Sequence, residues 1–199
     1  MTLKRTILYV VAGFGLLVFG AAAYMLGPAL LPPKSINVGI ALNAKAPVTM
    51  PLQDSAGLAT SLAEKMGPKG LVLVMVRSAD WCPFCKAQLI RTNDIRAQIT
   101  AQGYAIASLS YDKPETLAGF AKAKGLGYLM LSDQGSKMID ALGLRDPAYP
   151  PGNFAYGVPH PTILVLGPDG TVKAKYVTED YRSRPMNDDV MAILNGVKS

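Results

Sequence analysis

Six consecutive apolar residues, Leu71-Val72-Leu73-Val74-Met75-Val76, constrain what this chain can fold into more than any other feature. A strand with one wet face alternates polar and apolar side chains, whereas a run without alternation has both faces covered. The run therefore predicts a central strand with packed layers on either side. It leads to Trp81-Cys82-Pro83-Phe84-Cys85, which holds both cysteines of the chain. Proline suits the first position of a helix, where its missing N–H would lack a partner anyway. Cys82 is thus expected at a helix start and Cys85 one turn further in.

The rest of the body continues the alternation. Cys85, Leu89, Thr92, Ile95 and Ile99 recur at three- and four-residue steps and predict one long helix ended by Gly103. Residues 104–109 read as a strand, 114–124 as a helix opened by Pro114 and closed by Gly125, 128–131 as a strand, and 136–142 as a short helix. Residues 145–158, rich in Pro, Gly and aromatics, read as a loop shaping the rim of a site. Residues 162–166 and 171–177 are strands joined by Gly167-Pro168-Asp169-Gly170, a hairpin signal, and Asn187-Asp188-Asp189 can cap a final helix. Upstream, residues 35–52 carry extended edge elements, Asp54-Ser55-Ala56-Gly57 a turn, and residues 58–66 a short helix candidate. Strands alternating with helices, then a hairpin and a helix, imply an α/β three-layer sandwich around a central mixed sheet.

Half of the 199 residues are hydrophobic, so the body can bury a real core. The formal charge of +6 is spread over scattered bases without runs or aromatic interleaving, which argues for a solvated surface and against nucleic-acid binding. Lys4 and Arg5 precede an uncharged apolar segment, residues 7–31. Its length exceeds the ~7–15 residues of a signal-peptide core and matches the ~20 of a membrane-spanning helix. We expect residues 1–33 to be one N-terminal transmembrane or signal helix with a linker ending in Pro32-Pro33, and residues 34–199 to be the folded domain. Positive charge ahead of the segment places that domain on the extracytoplasmic, periplasmic side of the membrane. Cleavage near Ala21-Ala22-Ala23, giving a secreted protein, is the alternative.

A thiolate is the nucleophile of disulfide chemistry, and a helix start stabilises an anion through its unpaired amides and dipole. Cys82 is therefore the expected attacking thiol and the more buried Cys85 the resolving one. Lys86 and Arg77 add nearby positive charge. Trp81, Pro83 and Phe84 line the site, with Phe84 in an apolar docking patch. A zinc half-site is the competing reading of the pair, but zinc usually needs about four ligands, and the chain has two cysteines and one histidine.

The motif, the segment Tyr156-Gly157-Val158-Pro159-His160-Pro161-Thr162 and the strand-turn-strand after it resemble the thioredoxin superfamily, in its redoxin branch related to peroxiredoxins and membrane-anchored thiol-disulfide proteins. The resemblance implies a thioredoxin-like fold and a cis-proline facing the dithiol, the place matched by Pro161. It also brings His160 near the sulfurs. The Pro-Phe pair is similar to the Pro-Tyr of glutaredoxins. Two departures stand out. Val76 occupies the place of the buried Asp of thioredoxins. Met75 and Ala79 occupy the places of the Pro and Thr that precede the peroxide-reactive Cys of peroxiredoxins, with Ser78 or Arg77 as possible substitutes.

The leading expectation is an exported, membrane-tethered enzyme without cofactor that exchanges disulfides with partner proteins and is itself reduced by a membrane protein. The alternative is an antioxidant thiol peroxidase, in which Cys82 becomes a sulfenic acid that Cys85 resolves. A third reading is a Cu(I) chaperone binding through both thiolates and His160.

Overall fold

The computed structural model describes residues 34–197 together with Gly15 and Gly20. The N-terminal helix expected over residues 7–31 otherwise lies outside the described residues. Among the described residues no helix is long and apolar enough to cross a membrane.

The apolar run forms β3 (Gly70–Met75) at the heart of a mixed sheet. The sheet also contains β1 (Leu52–Asp54), β2 (Ala59–Thr60), β4 (Tyr104–Ser110), β5 (Leu129–Ser132), β6 (Thr162–Leu166) and β7 (Val172–Val177), in the order β2-β1-β5-β4-β3-β6-β7. β3 pairs in parallel with β4, Val72 opposite Ile106, and antiparallel with β6, Val72 opposite Val165. The missing alternation now has its reason. Leu71, Leu73 and Met75 pack with Leu109, Leu131, Met138 and Ile139 on one face, while Val72 and Val74 pack with Leu89, Ile99, Leu117 and Leu194 on the other. Each such side chain contributes about 1.5–3 kcal/mol when buried, so neither face of this strand tolerates a polar residue.

The second face is covered by α1 (Pro83–Asp94), α2 (Arg96–Ala101), α3 (Pro114–Lys124) and α5 (Asn187–Asn195); α4 (Lys137–Ala141) lies against the first. α3 has the bounds its sequence predicts, and Gly125 ends it in the left-handed region at φ 61°. Two local expectations fail. The single long helix breaks at Ile95 because the adjoining residues are tied to the turn ahead of β5: Asn93 Oδ1 accepts the Gly127 N–H at 2.8 Å, and Arg96 Nη1 donates to the Gly127 carbonyl at 2.7 Å. The helix candidate at residues 58–66 is instead strand β2 followed by a 3-10 turn, Ala63–Lys65. Asp54 Oδ1 accepts the Ala56 and Leu58 N–H groups at 2.9 and 3.0 Å, closing a turn that pairs Leu52 with Thr60. That side-chain turn outcompetes helical propensity.

Candidate active site

β3 ends at Met75, and the loop after it carries the chain to Cys82 at the head of α1. One carboxylate holds the loop. Asp112, itself buried just beyond β4, accepts Ser78 Oγ at 2.7 Å, the Ala79 N–H at 2.7 Å and Ser110 Oγ at 2.8 Å. Ser78 Oγ in turn accepts the Asp80 and Trp81 N–H groups at 2.9 and 3.3 Å. Cys82 is the N-cap of α1, its sulfur accepting the Cys85 N–H at 3.2 Å, with Pro83 at the first helical position. Cys82 and Cys85 form a disulfide with their Cα atoms 5.2 Å apart, and both are buried, at 1% and 0% exposure.

The structure adds a residue that the sequence did not single out. Arg184, from the segment between β7 and α5, donates through Nη2 to Cys85 Sγ at 3.1 Å and lies 4.0 Å from Cys82 Sγ. It is only 5% exposed, and its Nε and Nη1 have no hydrogen-bond partner. Burial first, and then the like charges of Arg77 and Arg91, lower Arg184 from the usual range to about 9, with Asp180 acting in the opposite direction. A guanidinium facing two sulfurs without a hydrogen-bonded carboxylate is poised to receive a thiolate once the disulfide is reduced.

Arg77 is buried rather than a surface charge, at 2% exposure. Its guanidinium carbon lies 4.1 Å from the Tyr181 ring centroid, 4.5 Å from Tyr149 and 5.0 Å from Trp81. Cation–π attraction thus joins the motif loop, the 145–158 loop and the segment carrying Arg184. The rim is aromatic as well. Trp81 meets Phe154 edge-on at 5.2 Å, Phe84 meets Tyr181 edge-on at 5.8 Å, and Trp81 Nε1 donates to Tyr111 Oη at 3.1 Å. Burial raises the Tyr111 phenol above its ordinary value, the indole hydrogen bond opposing this, so the phenol stays neutral.

The other expected site residues are distributed as follows. Pro83 is exposed, Phe84 and Lys86 are half-buried, and Met75, Val76 and Ala79 are buried core. Ser78 and Arg77, the proposed substitutes for a peroxiredoxin Thr, are committed to the Asp112 network and the aromatic cage. Pro161 precedes β6, but the described residues contain no cis peptide, so the expected cis-proline is trans here. Trans is the lower-energy isomer, and the Pro161 carbonyl is engaged by the Thr178 N–H at 2.9 Å. His160 is buried, its backbone N–H donating to the Leu144 carbonyl at 2.8 Å and its imidazole Nδ1 left without a partner. Among the described residues no three potential metal ligands assemble, so His160 and the two thiols do not make the copper site that the sequence allowed. Arg184, Asp112, Tyr149 and Tyr181 escaped sequence reasoning because each reaches the motif across the fold, leaving no local spacing to read.

The sequence matches the AhpC/TSA family over residues 42–175. The chain belongs to that family. Among curated relatives, a putative peroxiredoxin of Mycobacterium tuberculosis is 33% identical over 125 residues, covering 63% of this chain and 78% of the relative. The chloroplastic peroxiredoxin Q of Gentiana triflora is 30% identical over 152 residues, covering 74% and 66%, and Escherichia coli peroxiredoxin Bcp is 26% identical, covering 70% and 86%. Among solved structures, reduced Prx3 of Vibrio vulnificus in complex with hydrogen peroxide superposes with a TM-score of 0.68 at 22% identity, covering 78% of this chain and 99% of that one. Such structural likeness establishes the thioredoxin-like fold. The chain is thus an oxidoreductase of the redoxin branch. These peroxiredoxin relatives overturn the expectation that the enzyme's reaction is disulfide exchange with partner proteins: the Cys-x-x-Cys spacing resembles a thioredoxin signature, yet it sits in an AhpC/TSA sequence.

Proposed function

We propose that the protein is a thiol peroxidase in which Cys82 attacks peroxide and Cys85 resolves the product. The Cys82 thiolate takes the distal oxygen, the O–O bond breaks, and alcohol or water leaves after protonation. Cys82 becomes a sulfenic acid. The Cys85 thiol then attacks Cys82 Sγ and expels water, giving the observed disulfide; two thiols supply the two electrons that the peroxide accepts. An external thiol must reduce the disulfide to complete the cycle.

Peroxiredoxin relatives support this reading, and the observation that carries it is Arg184 on both sulfurs at 3.1 and 4.0 Å. A guanidinium there favours the thiolate before reaction and can donate to a peroxide oxygen during it. With Met75 and Ala79 in place of the Pro and Thr, Arg184 is the donor left beside the dithiol.

The test uses the reduced protein and Trp81, the single tryptophan, as a fluorescence reporter in rapid mixing with hydrogen peroxide. The Cys85→Ser variant should accumulate a sulfenic acid at Cys82, trapped by dimedone and located by mass spectrometry. Oxidation no faster than that of a free thiol would defeat the proposal. As part of the same reading, we propose that residues 1–33 tether the domain on the extracytoplasmic side, supported by Lys4 and Arg5 ahead of the uncharged segment. Protease accessibility of the domain in spheroplasts tests that placement.

A further inference from the structure

Arg184, which contacts the sulfurs, also lines a small cavity of about 80 Å³. Phe84, Ala87, Arg91, Arg182, Arg184 and Met186 line it. Three of these six are arginines, and no carboxylate lines the cavity. Arg182 is paired with Asp180 through Nε and Nη2, both at 3.1 Å. Arg184, 95% buried, has Nε and Nη1 without an acceptor, and the buried Nε of Arg91 has none either. The Arg77 charge also bears on Arg184 and is itself packed against aromatic faces.

Buried donors without acceptors are costly, and buried like charges more so. A thiolate formed on reduction lies against Nη2 of Arg184 and offsets one charge; Nε and Nη1 of Arg184 and Nε of Arg91 stay without an acceptor. The volume holds about two to three water-sized groups, which suits a planar carboxylate. Phe84, Ala87 and the half-exposed Met186 offer apolar contact to whatever carries it.

We propose that the Arg91–Arg182–Arg184 cavity is a binding site for the carboxylate of a small-molecule ligand, next to the reacting sulfurs. The site rests on the peroxidase reading for its meaning but not for its existence, because the carboxylate is held by arginines whether or not the disulfide turns over. Since one guanidinium touches both the ligand and the sulfurs, occupancy is sensed at the dithiol. The ligand is either the peroxide substrate itself, anchored by an acidic group, or a free carboxylate.

Benzoate is the probe, titrated into the oxidised full-length protein by calorimetry at low ionic strength. Saturable one-to-one binding that weakens as salt is added supports the site. Arg91→Ala should weaken it about tenfold, the loss expected of one charge-assisted hydrogen bond, with partial recovery in Arg91→Lys. Lys122→Ala, which removes the same charge from the exposed side of α3, should leave it unchanged. Absence of binding, or equal binding by Arg91→Ala and Lys122→Ala, overturns the proposal. The source is then assigned with cumene hydroperoxide and its para-carboxylate. A lower KM for the carboxylate, with the advantage lost in Arg91→Ala, makes the substrate the source. Equal KM values with competitive inhibition by benzoate make it a free carboxylate. If benzoate binds while neither peroxide is reduced, the site stands and the peroxidase reading falls.

Discussion

Replacing Arg184 by methionine separates what this residue does for chemistry from what it does to stability. The guanidinium is 4.0 Å from Cys82 Sγ and 3.1 Å from Cys85 Sγ. A unit charge at 4 Å from a thiolate is worth at most about 4 kcal/mol at an effective dielectric of ~20, or about 3 pH units of thiolate formation. Solvent and the remaining Arg77 and Arg91 charges reduce the loss, so we expect the midpoint of thiolate formation in reduced Arg184→Met to rise by about 1–2 units. With the midpoint above the working pH, each unit lowers the thiolate fraction about tenfold, and single-turnover oxidation by hydrogen peroxide at neutral pH should slow by about 10–100-fold. The assay is ultraviolet absorbance of the thiolate against pH, paired with Trp81 fluorescence in rapid mixing. In the oxidised protein the same change removes a buried cation with no carboxylate hydrogen-bonded to it, so unfolding free energy should rise, on the order of 1–4 kcal/mol. Folding lowers Arg184 from its usual range to about 9. Between those values the unfolded chain holds the proton more tightly, so wild-type stability rises with pH and its deficit against Arg184→Met shrinks above about pH 9. A thiolate midpoint unmoved by the substitution, or an oxidised variant much less stable than wild type, would refute the reasoning.

Asp112→Ala deletes an acceptor shared by Ser78, Ala79 and Ser110 and leaves buried donors unpaired; a loss of about 3 kcal/mol in urea unfolding is expected, with slower peroxide oxidation as the motif loop loosens. Arg77→Leu removes the cation from three aromatic faces and should cost about 1–3 kcal/mol while increasing proteolysis within residues 145–158, checked by thermal melting and limited trypsin digestion. Gly70→Ala places a Cβ 1.8 Å from the Leu166 carbonyl oxygen at a residue with φ 121°, so the β3–β6 pairing must give way; a loss above about 3 kcal/mol, or no soluble protein, is expected, and a melting temperature equal to wild type would contradict this. Tyr111→Phe removes the acceptor of the Trp81 indole at 3.1 Å and should shift Trp81 emission with a stability change of about 1 kcal/mol.

Much of this fold is written locally. The unbroken apolar run placed β3, Pro114 and Gly125 bounded α3, and the Gly167-Pro168-Asp169-Gly170 turn marked the end of β6, because each of these signals lies within a few adjacent residues. Local signals failed where a distant group competed for the backbone. Gly127 broke the helix at Ile95, and Asp54 turned residues 58–66 into a hairpin arm. The reactive pair follows the same division. Its place at a helix start after a central strand was legible from Cys82-Pro83 and the run before it. The likeness to thioredoxins in that spacing misdirected the choice of reaction.

By itself the sequence determined the central strand, the dithiol at the head of α1 and the oxidoreductase class, since these depend on residue type and short spacing alone. Only the tertiary structure decided the electrostatics of the site. Arg184 meets Cys85 across 99 residues of chain, and Arg77 is caged by aromatic rings from three separate segments. Charge acts through space with a strength set by distance and burial, and neither quantity exists until β7 and α5 are packed against the sheet.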